Sequence, residues 1–151
     1  FPKRKAFIKN TKELRIGVFG NIYPNKGSEL LILLSQEIKR SKCKIKIIVI
    51  GTISEQIDNE VIKQSGPYKH KDLVPLIEKH GINICLLPSI CPETFSYVTQ
   101  EIISMGLPIA CFNIGAPAER VSKYKDGLLL SSYKPKIILK ELIDFYTKLY
   151  K

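Results

Sequence analysis

At 151 residues, with 44% hydrophobic and 25% charged side chains, the chain has the size and mixture of one folded domain, which excludes wholesale disorder. No apolar run approaches the roughly 20 residues that span a bilayer, and the basic start "FPKRKAFIKNTKE" has no apolar signal-peptide segment behind it. The net charge of +10 is spread along the whole chain without a zinc finger, an RNP-like aromatic motif or a helix-turn-helix signature, so nucleic acid is not the expected partner.

The chain then alternates between two periodicities. "LRIGVFG", Leu14 to Gly20, is a branched apolar run stopped by glycine and predicts a buried strand. After the turn "NIYPNKG", "SELLILLSQEIKR" has helical length and ends in basic residues, as helix C-termini prefer. "KIKIIVIG", Lys44 to Gly51, predicts a strand covered on both faces, because its apolar run is nearly continuous. "TISEQIDNEVIKQSGPY" reads as irregular, with a short strand near Val61 to Gln64. "KDLVPLIEKHG" predicts a helix with Pro75 in its first turns and Gly81 as its stop, and "INICLLP" a strand.

A helix follows from about Phe95 to Met105, with Thr94 as candidate N-cap and Val98, Ile102 and Met105 forming a core stripe. "PIACF" predicts a strand, "GAPAERVSKY" a short helix, "DGLLLSS" a last strand, and "PKIILKELIDFYTKLY" a closing amphipathic helix. Strands alternating with helices across short connections argue for an α/β, Rossmann-like three-layer domain on a mainly parallel sheet. Residues 1–13 read as a linker or incoming segment and 14–151 as the domain.

Ligands of such sheets bind beyond the carboxyl ends of the strands. That rule selects three turns: Gly20 to Gly27, Gly66 to His70, and Ser89 to Ser96. In the first, Lys26 and Gly27 lie where a helix begins, so an ammonium and free backbone N–H groups could face one anion. In the third, Glu93 projects from the loop, the N–H groups around Thr94, Phe95 and Ser96 are helix-N-terminal donors, and Glu101 lies about two turns along. By themselves, two glutamates eight positions apart are more often surface charge than a site. The four cysteines, Cys43, Cys85, Cys91 and Cys111, show no zinc spacing and read as structural free thiols in a reducing cytosol. His70 and His80 have no carboxylate or serine partner nearby in sequence and read as surface residues.

The combination is more specific than its parts. Glu93 and Glu101 after a strand ending in "LPS", followed by "SMGLPIAC", resemble the C-terminal, donor-binding domain of the retaining GT-B glycosyltransferases of family 4, the glycosyltransferases group 1. The likeness runs roughly from Leu14 to Leu130 and takes in "GVFGNIYPNKGSELL", "NICLLPS", "NIGAPAERV" and "DGLLL". It implies one half of a GT-B fold and a nucleotide diphosphate sugar as donor. Glu93 would contact the sugar hydroxyls, Glu101 the ribose and Lys26 the diphosphate. Gly20, Thr94, Phe95 and Ser96 would line the donor, and the base would lie against the loop at Gly66 to Tyr68.

Where the family usually carries arginine, this chain has Asn21, a neutral donor in place of a bidentate cation. The resemblance further implies no metal and no other cofactor, and an N-terminal acceptor-binding domain without which the isolated domain transfers little. It suits a cytoplasmic setting in polysaccharide biosynthesis, with peripheral contact at the inner membrane face. The alternatives are a catalytically degenerate nucleotide-sugar-binding module and a GT-B-like nucleotide-sugar epimerase.

Overall fold

The computed structural model describes residues 8, 12–92 and 97–151. Among these, six parallel strands form one sheet: β1 (Arg15–Ile22), β2 (Lys46–Ile53), β3 (Ile62–Gln64), β4 (Ile84–Leu87), β5 (Ile109–Phe112) and β6 (Gly127–Leu130). Their spatial order is β3-β2-β1-β4-β5-β6. The helices are α1 (Ser28–Arg40), α2 (Leu73–His80), α3 (Tyr97–Ser104), α4 (Gly115–Ser122) and α5 (Pro135–Tyr150).

Both faces of the sheet are covered, which is why its strands read as apolar runs rather than alternations. On one face Ile16, Val18, Ile47 and Val49 pack with Leu31, Leu34 and Ile38 of α1 and Ile138, Leu142 and Phe145 of α5. On the other, Phe19, Ile48, Ile50 and Cys85 meet Leu73 and Ile77 of α2, Ile102 of α3, and Ala118 and Val121 of α4. Each fully buried aliphatic side chain contributes roughly 1.5–3 kcal/mol relative to exposure, so these stripes hold the helices in place.

The predicted elements are present, with shifted limits. β1 runs two residues past Gly20, because Gly20, Asn21 and Ile22 continue in register opposite Gly51, Thr52 and Ile53. Gly20 and Asn21 are therefore strand residues at the carboxyl edge, not the first residues of a turn. β2 begins and ends two residues later than expected, at Lys46 and Ile53. Pro75 sits in the first turn of α2, where its missing N–H costs nothing, and Gly81 ends that helix with φ 65°. In the stripe expected along α3, Ile102 and Met105 are buried and Val98 is partly buried against the same cluster. The expected N-cap, Thr94, lies outside the described residues.

One buried polar residue ties the amino end of the sheet together. The Asn83 side-chain amide donates to the Glu13 carbonyl (2.8 Å) and its oxygen accepts from the Arg15 N–H (3.0 Å). Tyr150, at the end of α5, donates its hydroxyl to the Asn83 carbonyl (2.7 Å). No helix among the described residues is long and apolar enough to cross a membrane.

Candidate functional site

In a parallel sheet of this order the chain moves outward one way through β2 and β3, then returns to place β4 on the other side of β1. The connections after β1 and β4 leave in opposite directions, which makes the carboxyl edge between them the switch point where sheets of this kind bind ligands. Of the residues singled out from the sequence, Gly20 and Asn21 lie toward the end of β1, Lys26 in the following turn, Tyr68 after β3, and Glu101 on α3, the helix that follows β4.

The turns after β1 and β4 are in contact. Gly27 has φ 94°, and a Cβ there would lie 2.1 Å from the Pro88 carbonyl oxygen, so only glycine permits this approach. The Asn25 carbonyl accepts from the Ser89 hydroxyl (3.3 Å) and from the Ile90 N–H (3.4 Å). Ser89 is buried, so its hydroxyl joins the two turns inside the structure. Lys26 closes a short 3₁₀ turn, Pro24–Lys26, immediately before the start of α1. That start carries a carboxylate: Ser28 Oγ donates to Glu55 Oε2 at 2.8 Å and Ser54 Oγ to the same oxygen at 3.0 Å.

Asn21 is exposed at the edge, and its side-chain oxygen accepts from Thr52 Oγ1 at 2.9 Å. That bond orients the amide and leaves its NH₂ group as the available donor. The structure thus gives Asn21 a neutral partner on the neighbouring strand.

A second group converges from the other side. Glu101, the fifth residue of α3, places Oε2 3.3 Å from His70 Nε2. His70 belongs to the turn that follows β3, as does Tyr68, which is half-buried. Burial chiefly, and then the Glu101 carboxylate, push the Tyr68 phenol above its ordinary 10. Beside Tyr68 opens a hollow of about 310 Å³ lined by Ser65, Pro67, Asp72, Pro75, Leu76 and Lys79. The loop is anchored by Gly66 N–H to the Gly51 carbonyl (2.8 Å) and by Gly51 N–H to Ser65 Oγ (3.0 Å).

The structure therefore brings together Glu101, Tyr68 and His70, and separately joins the Lys26 turn to the turn after β4. Glu93, Thr94, Phe95 and Ser96 lie outside the described residues. Sequence reading missed His70, whose partner is on a distant helix, and Thr52, whose role depends on strand register. The buried thiols behave as expected of core residues: burial pushes Cys111 up to about 12 and Cys85 higher still. Among the described residues no cluster of three His, Cys, Asp or Glu side chains gathers as a metal site.

Similar folds occur in several solved structures. The C-terminal domain of a glycosyl transferase group 1 family protein (LpcC) from Francisella tularensis matches with a TM-score of 0.65 and 19% identity, covering 98% of this chain and 87% of that one. Sucrose-phosphate synthase from Thermosynechococcus elongatus gives 0.66 and 17%, covering 98% of this chain and 44% of the synthase. Anabaena HepE, solved in complex with UDP-glucose, gives 0.65 and 19%, covering 91% of this chain and 41% of HepE. The chain thus spans less than half the length of the last two. At these identities the likeness establishes the α/β Rossmann-like fold of GT-B glycosyltransferases. No curated protein matches the sequence. The family profile described as glycosyl transferases group 1 covers residues 2–148, nearly the whole chain, and the protein belongs to that family.

Proposed function

We propose that residues 14–151 form the donor-binding domain of a retaining, family 4 hexosyltransferase, preceded by an incoming segment at residues 1–13. It would take a nucleotide diphosphate sugar and pass the sugar to an acceptor held by a separate N-terminal domain. The observation that carries this reading is a pair of contacts at the carboxyl edge: the turn holding Lys26 against the turn after β4, and Glu101 against the loop of Tyr68 and His70. Family membership and the UDP-glucose complex of HepE support a nucleotide sugar as the ligand class. The shares of sucrose-phosphate synthase and HepE that this chain covers, 44% and 41%, support a second domain as the acceptor's holder.

In this reading Glu101 accepts hydrogen bonds from the two ribose hydroxyls, as a carboxylate can, and Tyr68 lies along the base. Lys26 and the N–H groups at the start of α1 face the diphosphate, where negative charge grows as the sugar leaves. Glu93 holds the sugar hydroxyls, with the N–H groups around Thr94, Phe95 and Ser96 beside them. Gly20 lets the strand end pass close to the donor. Catalysis would rest on positioning and on stabilising the leaving group, with no metal. The protein would act in the cytoplasm, peripheral to the inner membrane face.

Asn21 favours a second reading. Its neutral bond to Thr52 stands where the family's arginine would grip the diphosphate, which fits a nucleotide-sugar-binding module with weakened chemistry.

Calorimetric titration with a panel of nucleotide diphosphate sugars, against Glu101→Ala and Lys26→Ala, tests the site. Wild type should bind at least one donor and both variants should bind it more weakly. Equal, poor binding by all three proteins would remove the assignment. Transfer assays on the protein joined to its acceptor domain then separate an active enzyme from the binding module, and product analysis without an acceptor tests for an epimerase.

A further inference from the structure

We infer that His70 is a positioning residue for Glu101 and thereby sets the preference of this edge for ribonucleotides over deoxyribonucleotides. The inference rests on the assignment of Glu101 to the ribose and extends it to a residue that carries no role in that assignment.

A glutamate side chain rotates about three bonds, and its carboxylate can accept from both hydroxyls of a vicinal diol only when its plane is held. Glu101 sits on the eight-residue helix α3 with its side chain 32% exposed. What reaches its carboxylate comes from another part of the chain: His70 Nε2, 3.3 Å from Oε2. Nε2 stands within ion-pair distance of Oε2, so its hold on the carboxylate is strongest when the imidazole is protonated.

The support for His70 is independent of α3. Its turn is closed by Asp72 N–H to the Lys69 carbonyl (2.8 Å) and by Lys69 N–H to the Asp72 carboxylate (3.4 Å). Upstream, the loop is fastened to β2 through Gly66 and Ser65, so the imidazole approaches from a backbone held by the sheet. With Oε2 held from the His70 side, Oε1 and the remaining lone pair of Oε2 are left to accept from hydroxyls. An ion pair whose histidine is 66% exposed adds little to folding stability, so holding the carboxylate is the more substantial thing this contact can do.

The test is the affinity ratio between a ribonucleotide and its 2′-deoxy counterpart, measured by titrating the full chain with UDP, ADP and GDP and the matching deoxynucleotides. Wild type should prefer at least one ribonucleotide by about tenfold, the loss expected for one hydrogen bond to a charged acceptor. Glu101→Ala should bring that ratio close to one. His70→Ala should lower it at least about threefold, and His70→Gln, which keeps a polar donor but no charge, should restore part of it. Thermal melts should leave the His70 variants unchanged, as expected for an exposed side chain. If His70→Ala keeps the full ratio while Glu101→Ala abolishes it, His70 is idle and the ribose assignment survives. If wild type shows no preference, or binds no nucleotide, the ribose assignment fails and this inference falls with it.

Discussion

Gly27→Ala tests the contact that joins the turns after β1 and β4. Gly27 has φ 94°, so alanine there meets the left-handed backbone penalty of roughly 1–2 kcal/mol. Its Cβ would also lie 2.1 Å from the Pro88 oxygen, 2.7 Å from the Pro88 carbonyl carbon and 2.8 Å from the Pro88 Cβ. These neighbours are backbone and a proline ring, which cannot swing aside, so overlap adds about 1–3 kcal/mol. The lower entropy of the unfolded alanine chain returns only about 0.4–1 kcal/mol. The expected net loss is roughly 2–4 kcal/mol. Gly66→Ala is the internal control, because Gly66 has a similar φ of 83° but nothing within 4 Å of an added Cβ. It should lose no more than about 1.5 kcal/mol, from backbone strain alone. Urea denaturation followed by far-UV circular dichroism measures both, with a melting shift of about 2–4 °C per kcal/mol as a cross-check. Nucleotide binding by Gly27→Ala should weaken as well, since the turns after β1 and β4 must move apart. Equal stability of the two variants would show that the Gly27–Pro88 approach is not a constraint.

Asn83→Ala removes two buried hydrogen bonds and leaves the Arg15 N–H and the Glu13 carbonyl without that partner, so denaturant unfolding should show a loss of about 2–4 kcal/mol. A change below about 0.5 kcal/mol would contradict that role. In native protein at pH near 8, the exposed Cys91 should react readily with a thiol reagent, while buried Cys85 and Cys111 react only after unfolding. Prompt modification of all four thiols would refute the burial argument. Asn21→Arg should tighten nucleotide diphosphate binding by about tenfold or more, because a bidentate cation replaces a neutral amide. Unchanged affinity in calorimetry would place Asn21 away from the diphosphate.

Local pattern and tertiary contact contributed differently to what is known of this protein. The order and type of the elements were legible along the chain, because the apolar runs of β1 and β2 and the spacing of Leu31, Leu34 and Ile38 report which faces are buried. Gly81 and Pro75 mark a helix end and start by backbone geometry alone. The candidate site was partly legible for a related reason: strand ends in a parallel sheet are where polar residues can face a ligand, which selected the turns holding Lys26 and Tyr68, while Asn21, Tyr68 and Glu101 gained their roles only from the family resemblance.

What the sequence could not supply was everything that depends on which distant segments meet. The extension of β1 through Gly20 to Ile22 comes from hydrogen bonding to β2, which overrides glycine's tendency to end a strand. His70 looked like an unpartnered surface histidine because its carboxylate lies on another helix, and Asn83 drew no notice because Glu13, Arg15 and Tyr150, to which it bonds, lie just ahead of β1, on β1 and on the last helix. Alternation of side chains along a segment records its burial, whereas strand order and register follow from long-range packing. Residue pattern along the chain therefore specified an α/β chain with candidate polar edges. Long-range packing closed the turn holding Lys26 on the turn after β4 and brought His70 to Glu101.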